Sequence, residues 1–271
     1  MSFMIEHNNL RLPPDRYTFS GAWSPPDSRA NFCEEDYAIT FYIAEFVNTL
    51  TNLAYIIPAL QYMYPGGIFS RQKWDFMSLA LLGLGIGSFL FHASLRAHLE
   101  FVDELSMLGL TWSMLQATYT TGSRSASSSR LISVLLTLFY VPFSVVYVLR
   151  PRIVMQVSAF LGALVLIGLR THYLVHWSRP FPEAKVKNWT ARSWKAVAVS
   201  LTGYLLWNLE NMYCAELRRV KGAVGLPLAW LFEFHGWWHV LTAIGASWFI
   251  DVVREVRGAE ETEEEKEKKK E

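Results

Sequence analysis

Residues 74–95 read WDFMSLALLGLGIGSFLFHASL. After Asp75 the run carries no Asp, Glu, Lys or Arg, and its length is the roughly 20 residues a helix needs to cross a hydrocarbon core. Six more blocks of this kind cover 38–63, 101–121, 131–149, 153–176, 194–214 and 227–252. The stretches between them are loop-like: Pro-Gly-Gly at 65–67, GSRSASSSR at 122–130, Arg-Pro-Arg at 150–152 and SRPFPEAKVKNWTARS at 178–193. The 271-residue chain is 52% hydrophobic and only 18% charged, where soluble domains hold about 25% charged residues. The pattern predicts an all-α membrane protein, a seven transmembrane helix bundle. It comprises an extramembrane segment over 1–37, one helical domain over 38–252 and a charged, disordered tail over 253–271.

A net charge of +1 with no basic stripe argues against a nucleic-acid partner. The N-terminal MSFMIEHNNLRLPPDRY has no apolar core, so it does not read as a cleaved signal peptide. Seven spans place the termini on opposite sides. Arg71, Lys73, Arg124, Arg130, Arg179, Lys185, Lys187 and Arg192 share the side of the C-terminus; Arg96, Arg150, Arg152, Arg218, Arg219 and Lys221 lie on the other. The bias points to a cytosolic C-terminus and a luminal N-terminus. Lys268 and Lys269 make a dilysine pattern of the type that addresses proteins to the endoplasmic reticulum or Golgi membrane, although a solvated charge run reads the same way. On this topology Cys33 and Cys214 both face the non-cytosolic side, where a disulfide persists; two free thiols are the alternative. The sequon Asn188-Trp189-Thr190 falls on the cytosolic side and is expected to stay unglycosylated.

Polar groups are costly in hydrocarbon, so each one invites a functional reading. Ser88 and His92 are four apart in the second span, on one helix face. Asp103 and Glu104 open the third. The seventh contains EFHGWWHV, which sets His235 and His239 one turn apart. An i,i+4 histidine pair presents two imidazoles to one metal, but Gly236 stands where zincins carry their glutamate base. His92, Asp103, His235 and His239 all fall in the non-cytosolic half, within about two or three turns of one surface. A second pair, His172 and His176, lies at the opposite end beside Trp177 and reads as interfacial. The expectation is an intramembrane zinc site of His92, His235 and His239. Three neutral imidazoles leave zinc an open fourth position, where water loses a proton near pH 7. Asp103 is the candidate general acid and base, or else a partner that holds an imidazole ring. Ser88 is the candidate donor to a developing oxyanion, or else a small residue for close helix packing.

Before the first span runs NFCEEDY at 31–37, and Glu45 is read as lying two turns into that helix, with Asn48 and Asn52 continuing a polar stripe. This collection of oxygens suits a hard cation such as calcium, while an acidic helix start accounts for 34–36 alone.

These residues resemble the alkaline ceramidase family. NFCEEDYAITFYIAEFVNTLTNLAYIIP (31–58) is similar to its N-terminal signature, and GSFLFHASL, DEL, WNLEN and FHGWWHVLTA follow in the family's order. The resemblance covers about residues 21–250. A wider superfamily, which includes the adiponectin receptors, shares only the Ser, Asp and three His. The resemblance implies hydrolysis of the ceramide amide to a sphingoid base and a fatty acid. It implies zinc on His92, His235 and His239, Ser88 and Asp103 at the reaction centre, and a Cys33–Cys214 disulfide. It also implies calcium on Asn31, the Phe32 carbonyl, Glu34, Asp36 and Glu45. Asn31 and Asp36 depart from the expected pattern by exchanging acid and amide, which keeps the charge. The likeness is to a fungal-type member, pointing to phytoceramide or dihydroceramide. The competing readings are a receptor-like seven-helix protein whose zinc is mainly structural, and a proton-coupled transporter; the sequence has neither the repeated halves nor the broken helices of the latter.

Overall fold

The computed structural model describes residues 17–67, 72–123 and 125–268, the last five as backbone only. Arg71, Arg124 and Lys269 lie outside them. The described residues are helical, with no strand beyond one isolated bridge between Thr40 and Ile43. The helices are α1 (Phe46–Thr51), α2 (Leu53–Met63), α3 (Phe76–Ser94), α4 (Ala97–Thr120), α5 (Ala126–Leu149), α6 (Ile153–His176), α7 (Glu183–Val224) and α8 (Phe234–Lys268), with a 3₁₀ turn at Leu228–Phe232. Each of the seven apolar blocks therefore contains an α-helix. By length and composition α3, α5 and α6 are able to cross a membrane. Leu135, Leu138 and Phe139 of α5 and Leu169 of α6 are exposed, an outward apolar surface that lipid covers and water does not.

Two compact units make up the chain. One comprises residues up to Ser106 together with Ala198–Gly245; the other comprises Met107–Val197 and the residues from Ala246 onward.

In the first unit the helix expected from residue 38 starts only at Phe46. The residues before it form turns, with Tyr37 in the left-handed region at φ 53°. Glu45 is thus not two turns into a helix. It is the extended residue that opens α1. Asn52 separates α1 from α2, because the carboxamides and hydroxyls of this stretch compete for the backbone: Asn52 donates to the Asn48 carbonyl, and Thr49 to that of Glu45. Asp75 caps α3 by accepting from the Ser78 amide, and Leu95 ends it at φ 51°. Asp27 then accepts from the Ala97 amide at 2.6 Å and so caps α4. α7 kinks at Tyr213, and the next residue, Cys214, is disulfide-bonded to Cys33. That bond ties the segment before α1 to α7.

In the second unit the charged stretch beyond residue 252 departs from the expected disorder. α8 continues through it as far as Lys268. Val252 and Val256 pack with Leu174, Val175 and Trp189. Glu255 accepts from the Trp189 indole at 2.9 Å and from Arg192 at 2.5 Å, while Glu260 accepts from Arg179 at 2.7 Å. The composition of the tail signals solvation; the period of its buried residues, 252, 256 and 260, is that of a packed helix. The segment 183–193, expected as loop, is also helical and carries the sequon at 188–190. His172 and His176 are exposed beside Trp177, and Thr190 lies 3.2 Å from His176 Nε2.

Candidate metal centre and its polar surround

His92, at the end of α3, and His235 and His239, in the first turns of α8, are all buried. Their ligand nitrogens lie within 4.8 Å of one another. Two of the rings are held from behind. His92 Nδ1 meets Glu45 Oε2 at 2.6 Å, and the Glu45 amide donates to the His92 carbonyl at 3.0 Å, so one residue grips both the ring and the backbone. His239 Nδ1 lies 3.0 Å from Thr51 Oγ1. That hydroxyl has a single proton, which it gives to the Val47 or Asn48 carbonyl at 2.9 or 3.1 Å, so it accepts from His239. Protons on both Nδ1 atoms leave the Nε2 lone pairs of His92 and His239 bare. His235 is held differently. Its Nδ1 has no hydrogen-bond partner among the described residues, and the Phe32 ring packs on it at 4.1 Å between centroids.

Nε2 of His92 and Nε2 of His235 are 3.3 Å apart. Two lone pairs repel at that distance unless a proton or a cation lies between them. Two nitrogens each about 2.05 Å from a tetrahedral zinc lie about 3.3 Å apart. The three histidines can hold a metal ion, and the His92–His235 spacing suits zinc.

Gly236 has a packing reason. A Cβ there would lie 3.1 Å from Val47 Cγ1 and 3.2 Å from Thr51 Cγ2. The missing side chain lets α8 rest on α1 and brings Thr51 to His239. The zincin glutamate position is thus occupied by a helix contact.

Asp103 lies nearly two turns into α4, and Ser88 is its hydrogen-bonding partner from α3. Gly87 permits this approach, since a Cβ there would come within 3.0 Å of Val102. Glu104 and Glu100, on the same end of α4, are engaged by Arg29, at 3.6 Å and 3.3 Å. Ser88 and Asp103 form one pair and His92, His235 and His239 one cluster; all five residues belong to the first unit.

The expected calcium residues have other engagements. Asn31 accepts from the Phe32 amide at 2.8 Å. The Glu34 carboxylate accepts from the Val47 and Asn48 amides at 2.6 and 2.8 Å, capping α1. Asp36 accepts from Thr18 at 3.3 Å, and Glu45 bonds His92 and Asn48. Glu34, Asp36 and Glu45 are all buried. Burial, with the charges of Glu233 and Glu45, pushes the Glu34 carboxyl well above the usual carboxylate range. Among the described residues, these acids do not converge within 4.8 Å as the three histidines do.

Sequence reading missed Thr51, Tyr55 and Thr242 as neighbours of the histidines, and it gave Glu45 a different neighbour. Thr51 and Tyr55 follow Asn48 and Asn52 at helical spacing, and Thr242 follows His239 by three. Spacing was the available signal; the facing helix was not.

The description of one protein family, Ceramidase, matches residues 24–271. Alkaline ceramidase 3 of Mus musculus is 31% identical over 229 residues, covering 83% of this chain and 82% of that protein. Alkaline ceramidase YPC1 of Saccharomyces cerevisiae is 29% identical over 250 residues, covering 88% and 79%. Alkaline ceramidase of Arabidopsis thaliana is 27% identical over 203 residues, covering 73% and 74%. A family match over nearly the whole chain, joined to relatives of similar length, has one reading: the chain belongs to the ceramidase family, among the alkaline ceramidases.

Proposed function

We propose that this protein is a zinc-dependent intramembrane amidase that cleaves ceramide, with phytoceramide and dihydroceramide among its substrates, to a sphingoid base and a free fatty acid. The observation that carries the reading is the convergence of three buried imidazoles, with Ser88, the partner of Asp103, one turn before His92 in α3. Zinc held by His92, His235 and His239 supplies Lewis acidity and makes water acidic enough to attack a carbonyl at neutral pH. Glu45 and Thr51 orient His92 and His239 toward it. Asp103 takes the proton from the attacking water and returns it to the departing amide nitrogen, which leaves as an amine. Ser88 donates to Asp103 and aims the carboxylate; turned the other way, its hydroxyl serves the carbonyl oxygen as charge develops. A two-chain lipid substrate suits a site between helices within the bilayer.

Seven spans with a luminal N-terminus are supported by the helical blocks and by the Cys33–Cys214 bond, which needs an oxidising compartment. Protease treatment of sealed microsomes removes a tag placed after residue 271 and spares one placed before residue 17; the reverse pattern sinks this orientation.

Calcium is proposed as a second cation near Asn31, Phe32, Glu34, Asp36 and Glu45. It is supported by three buried carboxylates, of which Glu34 and Glu45 repel each other, a repulsion that a divalent charge offsets. One assay covers both metals. Purified protein is incubated with ceramides, and released sphingoid base is counted. Chelation abolishes release, zinc alone restores a basal rate, and calcium raises that rate in wild type but not in Asp36→Ala. No release by the metal-loaded wild type from any ceramide would leave the receptor-like reading, with zinc in a structural role.

A further inference from the structure

Tyr55 of α2 is buried, and its hydroxyl meets Thr242 Oγ1 of α8. Its ring stands edge-on to His239, with 6.4 Å between centroids. The charge of Asp103 also reaches this hydroxyl. Tyr55 is therefore a neighbour both of His239 and of Asp103. Its seat is built by Gly85 of α3, three residues before Ser88. A Cβ at position 85 would lie 2.7 Å from Ile56 Cγ1 and 3.0 Å from Tyr55 Cβ, so any side chain there would push α2 away.

Counting protons gives the hydroxyl its direction. Thr242 Oγ1 lies 2.5 Å from the Trp238 carbonyl and 3.4 Å from that of His239. Carbonyls only accept, so Thr242 gives its single proton to Trp238 and accepts from Tyr55. The phenol's one proton is thereby committed, while its oxygen keeps acceptor capacity beside the reaction centre. An acceptor held this way favours a ligand that brings a donor and penalises one that does not.

A ceramide brings such donors: hydroxyls on the two sphingoid carbons that flank the one bearing the amide nitrogen. We propose that Tyr55, oriented by Thr242, is a specificity-determining residue whose phenolic oxygen accepts a hydrogen bond from a sphingoid hydroxyl of the substrate. This deepens the ceramide reading and rests on it.

The test is a cycle between enzyme and substrate hydroxyls. Wild type, Tyr55→Phe and Thr242→Val are assayed with dihydroceramide, phytoceramide, 1-deoxydihydroceramide and 3-deoxydihydroceramide. For each pair kcat/KM is measured, and equilibrium binding of the intact lipid is measured in detergent. Tyr55→Phe lowers both by about tenfold for the lipids that carry the recognised hydroxyl, and by little for the one that lacks it. Thr242→Val weakens the same lipids, because the phenol's proton is freed to face them. Zinc content stays at the wild-type level in both variants. A uniform loss across the panel, or no loss, overturns the proposal. Should wild type bind the panel with the same Tyr55-dependent differences but release no sphingoid base, the acceptor role stands and the hydrolytic reading falls.

Discussion

His235→Ala loses the bound zinc and, with it, at least about a thousandfold in kcat/KM on ceramide. The ring is buried, shares a 3.3 Å contact with His92 and is one of three nitrogen donors. Alanine leaves two donors and an empty volume where a third stood, so the metal is neither held tightly nor given its geometry. A metal's stabilisation of developing charge is worth several kcal/mol, and about 4 kcal/mol corresponds to a thousandfold. Two measurements check this: zinc per chain by elemental analysis, and release of sphingoid base. Retention of both at wild-type levels in a folded variant would remove His235 from the centre. The fold itself should survive. The Cys33–Cys214 bond and the α1–α3 contacts through Glu45 and His92 do not pass through the His235 side chain.

Asp103→Asn keeps its zinc and still loses activity, by about a hundred- to ten-thousandfold in kcat. The amide has nearly the shape of the carboxylate and can still meet Ser88, but it cannot take a proton from water or return one to nitrogen. The pair of variants thus separates two roles at one site. One loses metal and rate together; the other loses rate alone. Loss of zinc from Asp103→Asn would instead assign Asp103 to holding the metal shell. Full activity would place the proton transfers on another group.

Much of this was readable along the chain. Seven apolar blocks became helical segments because crossing length and helical period are local properties, carried by each block on its own. The placing of His235 and His239 one turn apart on one helix followed from the helical period alone. Local reading failed where composition and packing disagreed. The acidic tail looked solvated, yet Val252, Val256 and Glu260 give it a buried edge. Residues 38–45 looked like the start of a helix, yet turns there deliver Glu45 to His92.

What the sequence by itself determined is the class of the protein, its helices and the set of groups able to bind a metal and move a proton. Only the tertiary structure decided who supports them. Glu45 and His92 are 47 residues apart, and Thr51 and His239 are 188 apart. No period along the chain links such pairs. They meet because Gly236 lets α8 rest on α1, and because Gly85 brings α2 against α3. The protons on His92 and His239 are set by those facing partners, and so the direction of these two lone pairs is a property of the packed helices.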